Sequence, residues 1–152
     1  MTHHIVIAGG GASGAIMAAN LFRLGNGALR VTLVEASGEI GKGLAYATNN
    51  PSHLFNVRSG QLSAFSGKPD HFDRWLSVAY PALSRQGPFV PRAIYAEYLE
   101  AALRETAPVG KFRIIPQACI GLRELEHGVE VTLADGSALP AHFAIVATGY
   151  GG

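Results

Sequence analysis

The sequence predicts an α/β fold, a parallel sheet flanked by helices with an antiparallel meander leading into its last strand, and three observations predict it. Two short apolar runs, Ile5-Val6-Ile7-Ala8 and Val31-Thr32-Leu33-Val34, bracket a stretch of helical periodicity, which is the pattern of a β-α-β unit. A run of glycines stands directly between the first apolar run and the helical stretch. The last third carries two turn signals, His127-Gly128 and Asp135-Gly136, between short alternating segments.

Each element follows from local pattern. Ile5 to Ala8 is continuous apolar sequence stopped by glycine, as a strand buried on both faces requires. From Ala12 to Leu24, the residues Met17, Leu21 and Leu24 recur at i, i+4 and i+7, giving a helix with one packed face, and Gly25 and Gly27 supply its stop. Val31 to Val34, entered from Arg30 and ended by Glu35, is the second strand, parallel to the first through a right-handed crossover. Residues 36–68 are rich in Gly, Ser, Asn and Pro without sustained period, so a long excursion with one or two helical turns is expected, and loops of that length are usually functional. Phe72, Trp75, Leu76 and Ala79 after Pro69, then Tyr95, Tyr98, Leu99 and Ala102 after Pro91, give two amphipathic helices whose aromatic residues read as core. Phe112 to Ile115 is a strand. Residues 118–125, 129–134 and 138–141 form a three-stranded antiparallel meander that feeds the strand Phe143 to Ala147.

Composition narrows the function. The chain has 152 residues, enough for one domain, and 48% hydrophobic residues, enough for a substantial core. Twelve Lys and Arg against eleven Asp and Glu leave a net charge of +1, so there is no basic field to draw nucleic acid or an anionic membrane, and neither is expected as a partner. The single cysteine, Cys119, forms no internal disulfide, and with no export signal at the N-terminus a cytoplasmic location is expected. The six histidines show no metal-ligand spacing, so no metal is assigned.

The chemistry concentrates at Gly9-Gly10-Gly11-Ala12-Ser13-Gly14, a G-x-G-x-x-G placed after a strand and opening a helix, the context in which that motif binds a dinucleotide. Gly9 permits the tight turn, Gly11 lets a pyrophosphate approach the backbone, and Gly14 lets the helix pack closely on the strand. The free N–H groups from Gly11 to Ser13 then meet the phosphate charge. Glu35, followed by Ala36, ends the second strand about twenty residues past Gly14, where a carboxylate accepts hydrogen bonds from the ribose hydroxyls and repels a 2′-phosphate. A ligand-free glycine turn and a solvated strand-end glutamate are the competing structural readings.

The meander in place of a further helix, with Ala147-Thr148-Gly149 at the strand end after it, resembles the glutathione-reductase type of flavoprotein. Gly41-Lys42-Gly43-Leu44-Ala45-Tyr46, His53-Leu54-Phe55-Asn56-Val57, Asp70-His71-Phe72 with Trp75-Leu76, and Phe89-Val90-Pro91-Arg92 are similar to segments of the bacterial FAD/NAD(P)-binding proteins related to N-hydroxylating monooxygenases, over nearly all of the chain. The resemblance implies a Rossmann-like FAD/NAD(P)-binding domain over residues 1–152, with a helical excursion at about 66–106 inserted, as the N-terminal part of a longer oxidoreductase whose FAD domain is completed by later sequence. It implies FAD as cofactor, with NAD(P)H as an electron donor to the full-length protein, and a main-chain contact from Cys119 to adenine. The expected cofactor-binding residues are therefore Gly9, Gly10, Gly11, Ala12, Ser13, Gly14, Glu35, Ala36, Cys119, Ala147, Thr148 and Gly149.

No catalytic residue, substrate or oligomeric state is assigned from the sequence, and the piece alone is expected to be inactive because the flavin ring would lack much of its pocket. Two roles are open to His53, lining the flavin region or holding its loop by a hydrogen bond. Asp70 with Asp73, and Glu97 with Glu100, read as solvated helix faces. Ser13 is no hydrolase nucleophile, since G-x-S-x-G needs glycine where Ala15 stands. The reading is thus a flavin-dependent oxidoreductase domain, monooxygenase-like, gripping the ADP part of FAD; an NAD-binding domain and a non-catalytic dinucleotide sensor are the alternatives.

Overall fold

A computed structural model describes residues 1–150. In chain order its elements are β1 (His3–Ala8), α1 (Ala12–Leu24), β2 (Leu29–Val34), the single turn α2 (Gly43–Tyr46), a 3₁₀ turn (Ser59–Gln61), α3 (His71–Ala79), α4 (Pro81–Gln86), α5 (Arg92–Thr106), β3 (Phe112–Ile115), β4 (Cys119–Leu125), β5 (Gly128–Leu133), β6 (Ala138–Ala141) and β7 (Phe143–Val146). A four-stranded sheet has the order β3-β2-β1-β7 with every pair parallel, and β4-β5-β6 form a separate antiparallel sheet. This is the expected Rossmann-like α/β arrangement with its meander.

The strand period of two divides the core between the sheet's faces. Odd-numbered residues of β1 and β2, namely Ile5, Ile7, Val31 and Leu33, pack with Ala15 and Ala18 of α1 and with Tyr98, Leu99, Ala102 and Leu103 of α5. Even-numbered Val6 and Val34 pack with Val131 and Leu133 of the meander. Both faces are covered, which is why these strands read as unbroken apolar runs.

One polar cluster sits on the meander face. His4 is 4% exposed and Thr32 fully buried. The His4 ring bonds Thr32 Oγ1 through Nε2 at 2.8 Å and Pro140 O through Nδ1 at 3.1 Å, while Arg113 Nε donates to Thr32 Oγ1 at 3.1 Å. The His4 N–H donates to His142 Nδ1 at 2.9 Å. Burial, then the positive charge of Arg30, lowers the His4 pKa below its ordinary value.

The structure departs from sequence expectation at several points. Met17 and Leu24, assigned to the packed face of the first helix, are 41% and 73% exposed. The buried face of α1 is Gly14, Ala15, Ala18 and Ala19. Small side chains let α1 lie close to the sheet and to α5, while Ile16, Leu21 and Phe22 pack against the edge of the core and, of the expected face, only Leu21 is partly buried. Both first strands begin two residues earlier than their apolar runs, at His3 and Leu29, because the ladder continues through His3↔Leu29 and His4↔Arg30. The turn of helix α4 lacked a periodic signal; it begins on Pro81, a residue suited to the first helical position. The meander strands begin at Cys119 and Gly128 where residues 118 and 129 were expected, and the last strand closes at Val146, one residue short of Ala147.

The long excursion is held by backbone pairing to the segment before α5: Phe55 N–H donates to Val90 O at 3.0 Å and Ser59 N–H to Pro88 O at 2.8 Å. Asn20 Nδ2 of α1 donates to Ala64 O at 2.9 Å. Buried Tyr98 accepts the Ala64 N–H at its hydroxyl, 2.9 Å away, and that hydroxyl also bonds His71 Nδ1 at 2.9 Å. The aromatic residues of α3 and α5 are core as expected, with Phe72 and Tyr98 fully buried. His53 holds its own loop, its Nδ1 bonded to the Thr48 hydroxyl at 2.7 Å.

Candidate nucleotide cleft

The parallel strands β1, β2 and β7 end together, and the chain leaves them around one open cleft of about 740 Å³. Ligands of open α/β sheets bind at this carboxyl edge. Gly9 turns the chain there with φ +107°, and a Cβ on it would lie 2.2 Å from Ala147 O, so β1 and β7 can approach only at a glycine. A Cβ on Gly14 would lie 2.0 Å from Gly9 O. Glycine at that position seats the first turn of α1 directly on the loop below it.

Gly11 is the N-cap of α1. No side chain caps the helix, and its first turn has no acidic residue. The N–H groups of the first turn are therefore available to an anion, and the positive end of the helix dipole points the same way. A Cβ on Gly11 would meet only Gly43, at 3.4 Å from its Cα. The loop is thus a shallow backbone cradle that any larger side chain would narrow.

Glu35 ties this cradle to the end of β2. Its Oε2 accepts the Gly10 N–H at 2.7 Å, and its Oε1 accepts the Ser37 N–H at 3.1 Å and the Ser37 hydroxyl at 3.0 Å. A Cβ on Gly10 would lie 2.7 Å from the Glu35 Cβ, so the two chains touch there without room for a side chain. The carboxylate fixes the loop's second peptide.

Of the residues expected at the site, Gly9, Gly11, Ala12, Ser13, Glu35, Ala36, Ala147, Thr148 and Gly149 line the cleft together. Gly10 and Gly14 lie beneath the wall, at the contacts just described. Cys119 is not on the wall; it starts β4 and packs beside Val131 and Leu133, its thiol directed at Gly121 O, 3.6 Å away. Sequence reasoning left out Ser37, Glu39 and residues 42–47, which complete the lining with Tyr150. The signal available for them was the second cluster of glycines. Gly41 and Gly43 adopt φ +80° and +49°, and the Gly41 N–H donates to Gly10 O at 2.7 Å, pinning this segment against the nucleotide loop.

A strand-loop-helix cradle with an acid at the end of the next strand, and a meander before the fourth strand of the sheet, is the observation that decides the family. The family model described as FAD-NAD(P)-binding matches residues 6–151. The chain belongs to the FAD-NAD(P)-binding family. Among curated proteins, none matches it significantly. Solved structures share the fold: a cyclohexanone monooxygenase variant from Rhodococcus sp. Phi1 bound to NADP+ superposes with a TM-score of 0.66 at 23% identity, over 97% of this chain and 26% of that one. A flavin-containing monooxygenase from Stenotrophomonas maltophilia gives 0.63 at 23% identity, over 97% of this chain and 38% of that one. The Diels-Alderase PyrE3 of pyrroindomycin biosynthesis gives 0.63 at 17% identity, over 97% and 32%. The FAD-NAD(P)-binding domain described here therefore spans between about a quarter and two fifths of these proteins' lengths. No helix among the described residues is long and apolar enough to cross a membrane.

Proposed function

We propose that this cleft grips the ADP part of FAD, as the cofactor-binding domain of a flavin-dependent oxidoreductase of monooxygenase type. The observation that carries the reading is the uncapped N-terminus of α1, set at Gly11 beside the Glu35 carboxylate. The residues fit the group: a diphosphate meets backbone N–H donors at Ala12 and Ser13, and Glu35 stands at the end of the adjacent strand, where a ribose would lie. Glu35 repels a 2′-phosphate, which favours FAD over an NADP-type ligand on this wall. Ala147, Thr148 and Gly149 close the cleft from β7. When bound, the flavin supplies two-electron and oxygen chemistry, while this chain supplies binding and orientation. The substrate is met by sequence outside this domain, the oxidoreductase works in the cytoplasm, and neither nucleic acid nor a membrane is its partner.

The test is visible absorbance of the chain after incubation with FAD and desalting, beside Gly11→Val. Flavin bands retained by the chain and lost in the variant are expected, with an unfolding midpoint lowered only by the poorer helix cap, up to about 1 kcal/mol. A chain that retains no flavin and whose unfolding midpoint is indifferent to both FAD and ADP would sink the reading.

A further inference from the structure

The charges around the cleft bear on how it accommodates a charged ligand. Among its described lining residues, Glu35, Glu39 and Lys42 are the ionised side chains, so carboxylates outnumber ammonium groups. Glu35 is committed to Gly10 and Ser37. Glu39 and Lys42 are committed to each other, Lys42 Nζ lying 2.6 Å from Glu39 Oε1. A diphosphate at the head of α1 brings two negative charges, and the helix terminus offers only about half a positive charge against them. Lys42 is the one lining cation able to supply the rest.

Its position suits that role. The Gly41 N–H is bonded to Gly10 O, and Gly43 Cα stands 3.4 Å from the point a Gly11 Cβ would occupy, so Lys42 issues from backbone held on both sides against the phosphate cradle. Its ion pair with Glu39 is also breakable. The two side chains are 41% and 53% exposed, and a pair that exposed is screened by solvent and weak. A diphosphate, with more charge and several acceptor oxygens, is the stronger partner for an ammonium group.

We propose that Lys42 is the residue that neutralises the diphosphate, and that Glu39 competes for it, so that ligand binding exchanges one anionic partner of Lys42 for another. The proposal rests on the dinucleotide reading above. It assigns Lys42 to the 5′-diphosphate and not to a ribose 2′-phosphate, because Gly43 packs on Gly11, at the head of α1, while the ribose side is bounded by Glu35 and Ser37. Glu39 then acts as a built-in brake on affinity.

Calorimetric titration of the full chain with ADP, adenosine and adenosine 2′-monophosphate tests this, using Lys42→Met, Lys42→Arg, Glu39→Gln and the Lys42→Met/Glu39→Gln double variant. Lys42→Met is expected to weaken ADP about tenfold, the worth of one charge-assisted hydrogen bond, and to leave adenosine unchanged, while Lys42→Arg retains most of the affinity. Glu39→Gln is expected to tighten ADP about threefold alone and not at all in the double variant, the non-additivity that a shared partner requires. ADP affinity unchanged in Lys42→Met overturns the proposal, as does an equal loss of ADP and adenosine, a loss confined to the 2′-phosphate, or additive effects in the double variant. A wild-type chain that binds neither ADP nor adenosine overturns the dinucleotide reading itself, an outcome distinct from wild-type binding that Lys42→Met leaves untouched.

Discussion

Alanine at Gly14 and alanine at Gly11 are expected to fail in opposite ways. A methyl group on Gly14 lies 2.0 Å from Gly9 O and 3.0 Å from its carbon. Ordinary carbon-oxygen approaches are about 3.3–3.6 Å, so the first turn of α1 has to retreat by roughly 1.3–1.6 Å. Both obstructing atoms are backbone, held by the Gly9 N–H bond to Val34 O and by the parallel ladder of β1, and cannot rotate away. Retreat loosens the Ala15, Ala18 and Ala19 seam, a change of the overpacking kind that costs about 2 kcal/mol. For a domain of this size that is a fall in Tm of roughly 4–8 °C. The Gly11 methyl, by contrast, meets only Gly43, in ordinary contact, at a backbone φ of −64° open to any residue. Its cost is the poorer helix capping of alanine, up to about 1 kcal/mol. Yet it projects at the cradle, so FAD or ADP affinity falls. Urea unfolding and calorimetric titration of the two variants measure both quantities. A Gly11→Ala chain less stable than Gly14→Ala, or one binding nucleotide as well as wild type, would refute the reasoning.

Three further outcomes follow from the network and the loop. His4 titrates below its ordinary value of 6.5 in the folded chain because it is buried and faces the positive charge of Arg30, and His71 is lowered by burial as well. The unfolded chain therefore takes up protons first, stability is complete above pH 6.5 and declines as pH falls from there toward the folded values, and His4→Gln should flatten part of that slope in urea midpoints measured from pH 7.5 to 5. Removing the Tyr98 hydroxyl as Tyr98→Phe leaves the buried Ala64 N–H without its acceptor and should cost about 1–3 kcal/mol at an unchanged denaturant slope. Glu35→Ala strips the acceptor from Gly10 and Ser37 and should lower stability by about 1.5–3 kcal/mol while weakening adenosine and ADP alike; a variant that loses only ADP would show that the carboxylate's role lies with phosphate and not with ribose.

Much of this architecture is legible in local pattern because it is set by local physics. A strand buried on both faces needs an unbroken apolar run, a tight strand-to-helix turn needs glycine, and a hairpin needs a residue that accepts positive φ. Ile5 to Ala8, Gly9 to Gly14, Gly128 and Gly136 satisfy those needs within a few residues, and so the β-α-β unit, the cradle and the meander could be placed from the sequence alone. The distance from Gly14 to Glu35 placed the acid at the end of β2 by the same local reasoning, through the length of one helix and one strand.

What the tertiary structure alone decided concerns residues brought together from far apart in the chain. Periodicity marked Met17, Leu21 and Leu24 as one packed face, but the face that meets the sheet and α5 is Gly14, Ala15, Ala18 and Ala19, so Met17 and Leu24 stand exposed and Leu21 only flanks the core. His4, Thr32, Arg113, Pro140 and His142 form one hydrogen-bonded cluster only because β3, the meander and β1 converge on one face of the sheet. The loop bearing Lys42 and Tyr46 joins the cleft wall through the backbone bond from Gly41 to Gly10, a glycine-on-glycine contact, and the packing of Tyr46 on Phe55 and Tyr95. Local sequence therefore set the β-α-β unit, the meander and the nucleotide turn, whose constraints act within one or two turns of chain. The packed face of the helix, the buried polar cluster and the charged wall of the cleft were decided by tertiary structure, since each depends on distances across the fold that no run of neighbouring residues encodes.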